Sequence, residues 1–359
     1  MRRIFFILTF FVYQLSFSQE IDRRLIIFGD AGEMNNKQSF LIENSYDLQI
    51  PQKTKVFFIG DNIYPSGMGL EEPERSRTED ILKSQFEGFR NLGVPVYFLA
   101  GNHDWDHSGR NGLAKLKAQE HYINALRDSD LQFLPTAGSI GPKTISINKN
   151  VIAIVYDSEY WLFPHHEHNI DQDKNQFIAD LKNLLDQNKE KTILLVSHHP
   201  MSSYGDHSLI YNWKDHIFPL TDVSPTLYIP LPGLGSLYPL FRSKVFRSPE
   251  DLKHPLYSDL ILRVTSITKD HPRVLFISGH DHGLQYISND NIRQIVSGSG
   301  SKQSDIHQRK PLKYGYNKQG FCVVDILEND EIRVTFYIDR PKNTLTKAFE
   351  TIVDFAAEQ

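Results

Sequence analysis

The sequence contains one cysteine, Cys322, among 359 residues, so it can form no intramolecular disulfide, thiolate zinc site or Cys-X-X-Cys motif. It also lacks an excess of positive charge, because 39 Lys and Arg stand against 44 Asp and Glu and the formal net charge is −5. This balance excludes the overall basic field that sequence-independent nucleic-acid binding requires, although it leaves a local basic patch open. Because the chain has a single cysteine, any metal ion must be held by His, carboxylate, amide or phenol side chains.

Long apolar runs are also missing, except at the amino terminus. There, two arginines precede an apolar stretch from Ile4 to Tyr13, and small residues follow it up to Ser18. The stretch is shorter than the roughly 18 to 20 residues of a membrane-spanning helix. We interpret residues 1–18 as a secretory signal that is cleaved after Ser18, with a membrane anchor as the alternative. The mature protein is expected to be exported, periplasmic or secreted, with no transmembrane segment.

Short apolar runs alternate with helical periods along the remaining chain, which indicates a layered α/β domain. Five runs are continuous and apolar, as is typical of strands buried on both faces. They cover residues 25–28, 56–59, 96–100, 193–196 and 274–277. A capping box at Ser76 and Glu79 and a stop at Gly93 predict the limits of a first helix, and further helical stripes cover 177–185 and 260–267. A hairpin is predicted over 144–156, and strands over 284–287, 292–296, 321–326 and 332–338 are expected to close a second sheet.

Seven prolines interrupt any regular element between residues 218 and 255. We interpret this stretch as a long insertion that shapes a substrate cleft as a lid. No repeat or linker divides the chain, so residues 19–359 are predicted to form a single domain.

Each of the five buried runs is followed at once by a polar cluster. The clusters cover residues 29–32, 60–64, 101–104, 197–200 and 279–282. Ligands of open α/β sheets bind outside the carboxyl ends of the strands, so one sheet would bring all five clusters to one site. Carboxylates, an amide oxygen, imidazoles and a phenol suit iron, zinc or manganese, and they are too rich in nitrogen for a calcium site.

These five blocks, in this order from Asp30 to His282, resemble the calcineurin-like metallophosphoesterases and, within them, most closely the purple acid phosphatases. The resemblance implies a four-layer α/β/β/α sandwich of two mixed sheets with flanking helices, with a dinuclear metal site at the C-terminal ends of the strands. It assigns one metal to Asp30, Asp61, Tyr64 and His282, and the other to Asp61, Asn102, His198 and His280. In this assignment Asp61 bridges the two ions.

Tyr64 follows Asp61 by three residues, as in the Asp-x-x-Tyr pattern of the purple acid phosphatases. A tyrosinate favours Fe(III), and the second metal is expected to be Fe(II), Zn or Mn. The alternative for Tyr64 is a buried aromatic residue in the turn before Pro65.

Three further sets of residues carry less specific signals. In the family, the residue corresponding to His103 contacts the phosphate or protonates the leaving group, and Asp104 is a candidate for orienting it. His207 lies nine residues after His198, as does a second substrate-side histidine in mammalian-type members, with a solvated loop histidine as the alternative. His165, His166 and His168 could indicate a separate metal site, but a polar loop explains these three histidines equally well.

The resemblance implies hydrolysis of the monoester bond of a small phosphorylated substrate by a metal-bound hydroxide, as in acid phosphatases, and no nucleic-acid scaffold role. Two alternatives are a phosphodiesterase acting on nucleotides or lipid headgroups and a non-catalytic binding or scaffold protein. Because all seven ligand positions are filled, the catalytic interpretations are favoured. The physiological substrate and the oligomeric state stay open.

Overall fold

The structure, a computed structural model, describes residues 20–209, 217, 229–230, 248–289, 291–340 and 344–356. The predicted export signal lies outside these ranges, as does most of the predicted proline-rich insertion. Within the ranges, fourteen strands form two sheets of seven strands each. None of the helices in the described part of the chain combines the length and apolar character that crossing a lipid bilayer requires.

The first sheet joins the amino-terminal parallel strands to three strands from the end of the described chain. In spatial order it contains β14 (Thr344–Ile352), β13 (Ile332–Arg340), β12 (Gly320–Leu327), β1 (Ile21–Phe28), β2 (Thr54–Ile59), β3 (Val96–Leu99) and β4 (Leu131–Phe133). Strands β1 to β4 are parallel, whereas β12 pairs antiparallel with β1. The sheet is therefore mixed.

The second sheet is mixed in the same way. In spatial order it contains β11 (Leu312–Tyr316), β9 (Leu284–Ser288), β10 (Arg293–Ser297), β8 (Val274–Ser278), β7 (Thr192–Val196), β6 (Val151–Val155) and β5 (Lys143–Ser146). Strands β6, β7, β8 and β10 are parallel, and the strands at the two edges are antiparallel to their neighbours.

Helices cover the outer faces of both sheets. In chain order they are α1 (Asn36–Ser45), α2 (Glu74–Asn91), α3 (Gly112–Ala125), α4 (Ser158–Leu162), α5 (Asp171–Gln187) and α6 (Pro255–Thr268). Successive side chains of a strand point to opposite faces, so β1 contributes to two cores. Ile26 packs in one core with Leu82 of α2, whereas Leu25 packs in the other with Ile277 of β8. The second core lies between the sheets, which gives the four predicted layers.

The predicted fold class is confirmed, and so are most of its elements. The five buried runs are strands β1, β2, β3, β7 and β8, and residues 144–156 contain the hairpin of β5 and β6. The helical stripes lie in α2, α5 and α6. The apolar patterns were therefore sufficient to locate the strands and helices that surround the polar clusters.

Two predictions about these elements were wrong. The runs 321–326 and 332–338 do not close the second sheet, because β12 and β13 join the first sheet, where Val324 pairs with Leu25. A strand buried on both faces carries no pattern that says which sheet it enters. The capping box also fails, because α2 begins at Glu74 and the Ser76 hydroxyl, inside the first turn, donates to Glu72 Oε2 at 2.7 Å.

Candidate metal centre

The clusters that follow the five buried strands meet at one site, but they come from both sheets. Strands β1, β2 and β3 lie in the first sheet, and β7 and β8 lie in the second. The prediction that one sheet delivers every cluster was therefore wrong. The clusters still converge, because side chains from the two sheets approach closely, as His282 Nε2 and Asp30 Oδ1 do at 3.5 Å.

The loops after these strands have unusual backbone conformations. Asp30, Asp61 and His280 have φ angles of 56°, 54° and 71°. This left-handed region costs a non-glycine residue about 1 to 2 kcal/mol. Gly101 permits a close approach, because a β-carbon there would lie 2.4 Å from Asp61 Oδ1. The local sequence therefore brings the Asn102 loop directly against the Asp61 carboxylate.

Four side chains form a first donor group, which we define as Asp30, Asp61, Tyr64 and His282. Tyr64 Oη lies 3.0 Å from Asp61 Oδ2, 3.2 Å from Asp30 Oδ1 and 3.2 Å from His282 Nε2. Burial raises the pKa of Tyr64 well above 10, and the carboxylates of Asp61 and Asp30 raise it further. The phenol therefore keeps its proton unless a cation takes the proton's place. Two carboxylates, a phenol and an imidazole in contact suit such a cation.

A second donor group, which we define as Asn102, His198 and His280 together with Asp61, lies beside the first. Asn102 Oδ1 is 3.0 Å from His198 Nε2 and 3.2 Å from His280 Nδ1. The other nitrogen of each imidazole contacts a backbone carbonyl. His198 Nδ1 lies 3.0 Å from the Ile59 carbonyl oxygen, and His280 Nε2 lies 3.0 Å from that of Glu250. Donation to these carbonyls by His198 Nδ1 and His280 Nε2 directs the other ring nitrogen of each histidine toward Asn102, and that nitrogen is the one a metal ion would take.

Asp61 belongs to both donor groups. Its Oδ2 faces Tyr64, and its Oδ1 lies 3.4 Å from His198 Nε2 and accepts the His103 backbone N–H at 2.9 Å. Burial works to raise the pKa of Asp61, but the imidazoles of His198 and His103 outweigh it and hold the pKa well below its usual value. The side chain is therefore a carboxylate whose two oxygens point into different donor groups.

His103 lies at the edge of the first donor group. Its Nδ1 contacts the Pro65 carbonyl oxygen, and its Nε2 is 3.8 Å from Asp61 Oδ2. Asp104 does not orient this imidazole, contrary to expectation. Its buried carboxylate instead accepts backbone N–H groups from Gly101 at 2.8 Å and Asn62 at 3.1 Å. Asp104 therefore ties the loop after β3 to the loop after β2.

His207 packs against the second donor group. Its ring centroid is 4.1 Å from that of His280, and its Nδ1 is 3.5 Å from Asp251 Oδ1. Burial disfavours the charged ring, but Asp251, Asp281 and Glu250 together raise the pKa of His207 to about 9. The side chain is a quarter exposed, so the structure places it beside the donor groups and not in a solvated loop.

The histidines at 165, 166 and 168 lie away from both donor groups. His166 Nε2 is 2.8 Å from the Tyr160 carbonyl, and His168 Nε2 is 2.9 Å from Asp173 Oδ2. Neighbouring helix residues therefore account for two of the three rings. His199, by contrast, packs against the second donor group: its ring centroid is 4.3 Å from that of His280, and it offers a ring nitrogen within 4.8 Å of nitrogens of His198 and His280, while its Nδ1 lies 2.9 Å from Ser158 Oγ.

Several residues at the site were not identified from the sequence. The Ser301 hydroxyl donates to the Asp30 carbonyl at 2.6 Å, so the Gly-Ser run at 298–301, directly after β10, supports the first donor group. Glu250, at the end of the proline-rich stretch, supplies the carbonyl that meets His280. Neither lies in a motif, so no local signal could have identified it.

A surface cavity of about 700 Å³ opens beside the first donor group. Tyr64, His103 and His282 are among the residues that line it. The rest of its lining includes both apolar and charged side chains, among them Met34, Ile81, Arg77 and Lys302. Its volume falls in the range typical of small-molecule sites.

Comparisons with known proteins agree with this geometry. The sequence profile of the calcineurin-like phosphoesterase family matches residues 23–284. The chain is 24% identical over 313 residues to purple acid phosphatase 3 of Arabidopsis thaliana, covering 80% of this chain and 67% of that protein. It is 22% identical over 335 residues to tartrate-resistant acid phosphatase type 5 of Homo sapiens, covering 89% and 85%.

A solved structure with the same fold belongs to a protein of a different description. GAP50, described as the anchor in the inner membrane complex of Plasmodium, superposes with a TM-score of 0.59 over 93% of this chain and 89% of its own. The two sequences are 17% identical, so this likeness shows the fold alone.

Proposed function

Since the chain belongs to the calcineurin-like phosphoesterase family, we propose that it hydrolyses phosphate monoesters with two bound metal ions, as acid phosphatases do. The first donor group would hold Fe(III), and the second would hold Fe(II), Zn or Mn. The proposed ligands are those of the two donor groups, with Asp61 shared between the ions. The substrate class is a small phosphorylated molecule.

The observation that carries this proposal is the direction of the two Asp61 oxygens. One faces Tyr64 and the other faces His198, so a single carboxylate reaches both donor groups. A shared carboxylate suits two ions about 3.5 to 4 Å apart, the separation at which a metal pair contacts both the attacking and the leaving oxygen of a phosphoryl transfer. A purely structural carboxylate has no need of two such separate sets of donors.

When bound, a metal pair supplies an attacking hydroxide near neutral pH and neutralises charge on the transferring group. The chain's own residues bind and orient the ester. Contact of His103 Nδ1 with the Pro65 carbonyl leaves Nε2 directed toward Asp61, and we assign to Nε2 the proton given to the leaving oxygen. His207, which Asp251 favours in its charged form, would add positive charge beside the phosphoryl group.

The cavity beside Tyr64 and His103 would hold the alcohol part of the ester. It opens directly from the first donor group, so a phosphoryl group at the metals would leave its alcohol inside. The mixed apolar and charged walls favour a leaving group with both kinds of surface.

One alternative has a specific observation in its favour. The fold is shared with GAP50, an anchor, so the chain could bind a partner and turn over no ester. The filled donor groups favour catalysis, because an anchor needs no shared carboxylate between two sets of metal-ligating atoms.

Elemental analysis and ester hydrolysis by the mature protein, beginning at Gln19, test the proposal. We expect two metal equivalents and an aryl phosphate monoester hydrolysed at least as fast as its diester. A marked preference for the diester would replace the proposal with a phosphodiesterase. Bound metal without hydrolysis of either ester would favour an anchor.

We also propose that residues 1–18 are removed on export and that residues 19–359 form one domain, with 218–255 as a lid over the site. The support for a lid is that the carbonyl of Glu250, near the end of this stretch, meets His280. Mass spectrometry of the exported protein should find Gln19 as the first residue. An intact amino terminus would indicate an anchor segment.

A further inference from the structure

Three consecutive non-glycine residues, Asp106, His107 and Ser108, adopt left-handed backbone conformations. Their φ angles are 59°, 51° and 59°. L-residues enter this region at an energetic cost, whereas glycine enters it freely. If the loop only had to reverse the chain, glycine at these positions would give it a lower conformational free energy. The three side chains must therefore make contacts that outweigh the cost.

The two outer residues fix the turn to the helices around it. Asp106 Oδ1 accepts from Lys115 Nζ of α3 at 2.6 Å. The Ser108 hydroxyl donates to Glu159 Oε1 of α4 at 2.6 Å, and Glu159 is fully buried. These contacts hold the turn at both ends and determine where the middle residue lies.

The middle residue, His107, contacts the imidazole of His103. The two rings are stacked, with centroids 4.6 Å apart and planes 25° apart. His107 Nδ1 lies 3.5 Å from Glu250 Oε1 and 3.4 Å from Asn102 Nδ2, which limits how far its ring can rotate. The His103 ring also meets the Tyr64 ring at 4.4 Å, so aromatic contacts and the Pro65 carbonyl together define its orientation.

We propose that His107 is a positioning residue, whose stacked ring holds the imidazole of His103 in the orientation that directs Nε2 toward a bound ester. This inference rests on the proposed function, in which His103 contacts the substrate. It also explains the strained turn, because the backbone conformation at His107 places its ring beside His103. This role requires a flat ring at position 107, but it does not require the nitrogen atoms of that ring.

Four substitutions separate stacking from other roles. His107→Phe keeps a flat ring without nitrogens, His107→Leu keeps bulk without a flat ring, His107→Ala removes the ring, and His107→Gly removes both the ring and the backbone strain. His121→Ala, at an exposed position of α3, is the matched control. We expect kcat on an aryl phosphate to fall about 10- to 100-fold in the Leu, Ala and Gly variants, with KM changed less than about 3-fold. The Phe variant should stay within about 3-fold of wild type.

Stability provides a second measurement. The Gly variant should melt no lower than the Ala variant although both are slow, because glycine relieves the strain. A purely structural role for His107 would instead make activity follow melting temperature across the set. Wild-type kcat in the Ala variant would overturn the proposal. So would a folded Phe variant as slow as the Ala variant, which would assign the effect to an imidazole nitrogen.

A third measurement does not need turnover. The imidazole C–H signals of His103, identified by their loss in His103→Gln, should carry a ring-current contribution from the ring at position 107 that is lost in the Leu, Ala and Gly variants and persists in the Phe variant, beside the contribution of Tyr64, which all the variants keep. If wild type hydrolyses no ester, the proposed function fails, and this shift still decides the positioning role. A His103 shift that is the same in every variant would refute it.

Discussion

Replacing Asp104 with alanine should destabilise the protein through the loops that carry the donor groups. The Asp104 side chain is fully buried and accepts the backbone N–H groups of Gly101 at 2.8 Å and Asn62 at 3.1 Å. It also accepts from Asn62 Nδ2 at 3.1 Å, but that group donates to the Leu99 carbonyl as well, at 2.6 Å. Asp104→Ala would therefore leave two backbone amides without their acceptor.

The expected cost follows from these two amides. A buried donor left without its acceptor costs about 1 to 3 kcal/mol, so the alanine variant should lose roughly 2 to 6 kcal/mol of unfolding free energy. Asp104→Asn keeps one acceptor oxygen but turns an NH2 group toward one amide, so it should lose roughly half as much. Burial and the nearby Asp61 raise the pKa of Asp104 to about 7, and removing that repulsion offsets part of the loss in the asparagine variant.

Urea unfolding of the metal-free proteins, followed by circular dichroism, measures this cost without a contribution from metal binding. Asp186→Ala is the control, because Asp186 is exposed and an exposed ion pair such as the one it forms with Lys182, at 2.8 Å, contributes little to stability. Equal unfolding midpoints for Asp104→Ala and wild type would refute the assigned hydrogen bonds. A loss in the asparagine variant as large as that in the alanine variant would show that the charge matters and the geometry does not.

Three further variants test the site and the sheet. Asp61→Asn should abolish hydrolysis and lower the content of both metals, since a shared ligand loses its charge to both ions; two metal equivalents in elemental analysis would show that Asp61 is not shared. Tyr64→Phe should fold but lack the visible phenolate-to-iron absorption band expected of the wild type, and a band that persists would assign another tyrosine. Asp325→Asn should lose about 3 kcal/mol in urea unfolding, because this buried carboxylate accepts from Arg24 at 2.6 Å and Arg333 at 2.7 Å. The kcat of this variant should not change, since β12 carries no residue of either donor group. A large change in kcat would mean that the sheet and the site are coupled.

Much of the fold could be predicted because it depends on local patterns. Continuous apolar runs identified strands such as β2 and β7, and apolar spacing identified α5. The sheet in which each strand lies could not be predicted, since β12 pairs with a strand about three hundred residues away and its apolar face fits either sheet. The start of α2 was misplaced for a different reason, because Pro73 occupies the cap position where a serine was expected.

The donor residues could be predicted because each follows a buried strand by a few positions. The nine predicted site residues lie together, although their roles as ligands and proton donors stay predictions. The residues that hold them could not be found in the same way. The contacts of Glu250 and Ser301 exist only once distant segments are folded, and the orientation of His107 depends on a left-handed turn that no sequence pattern indicated.

The division of the site between two sheets has a consequence for how the molecule holds together. His282 of the second sheet meets Asp30 of the first, and His198 and His280 meet Asn102, so an ion in either donor group would bind both sheets at once. Ligand binding to the folded state alone adds about 2.7 kcal/mol of unfolding free energy at a hundred times the dissociation constant. A chain with one cysteine cannot crosslink itself through sulfur. Two bound ions would provide that crosslink in its place, and a chelator would open it as a reductant opens a disulfide.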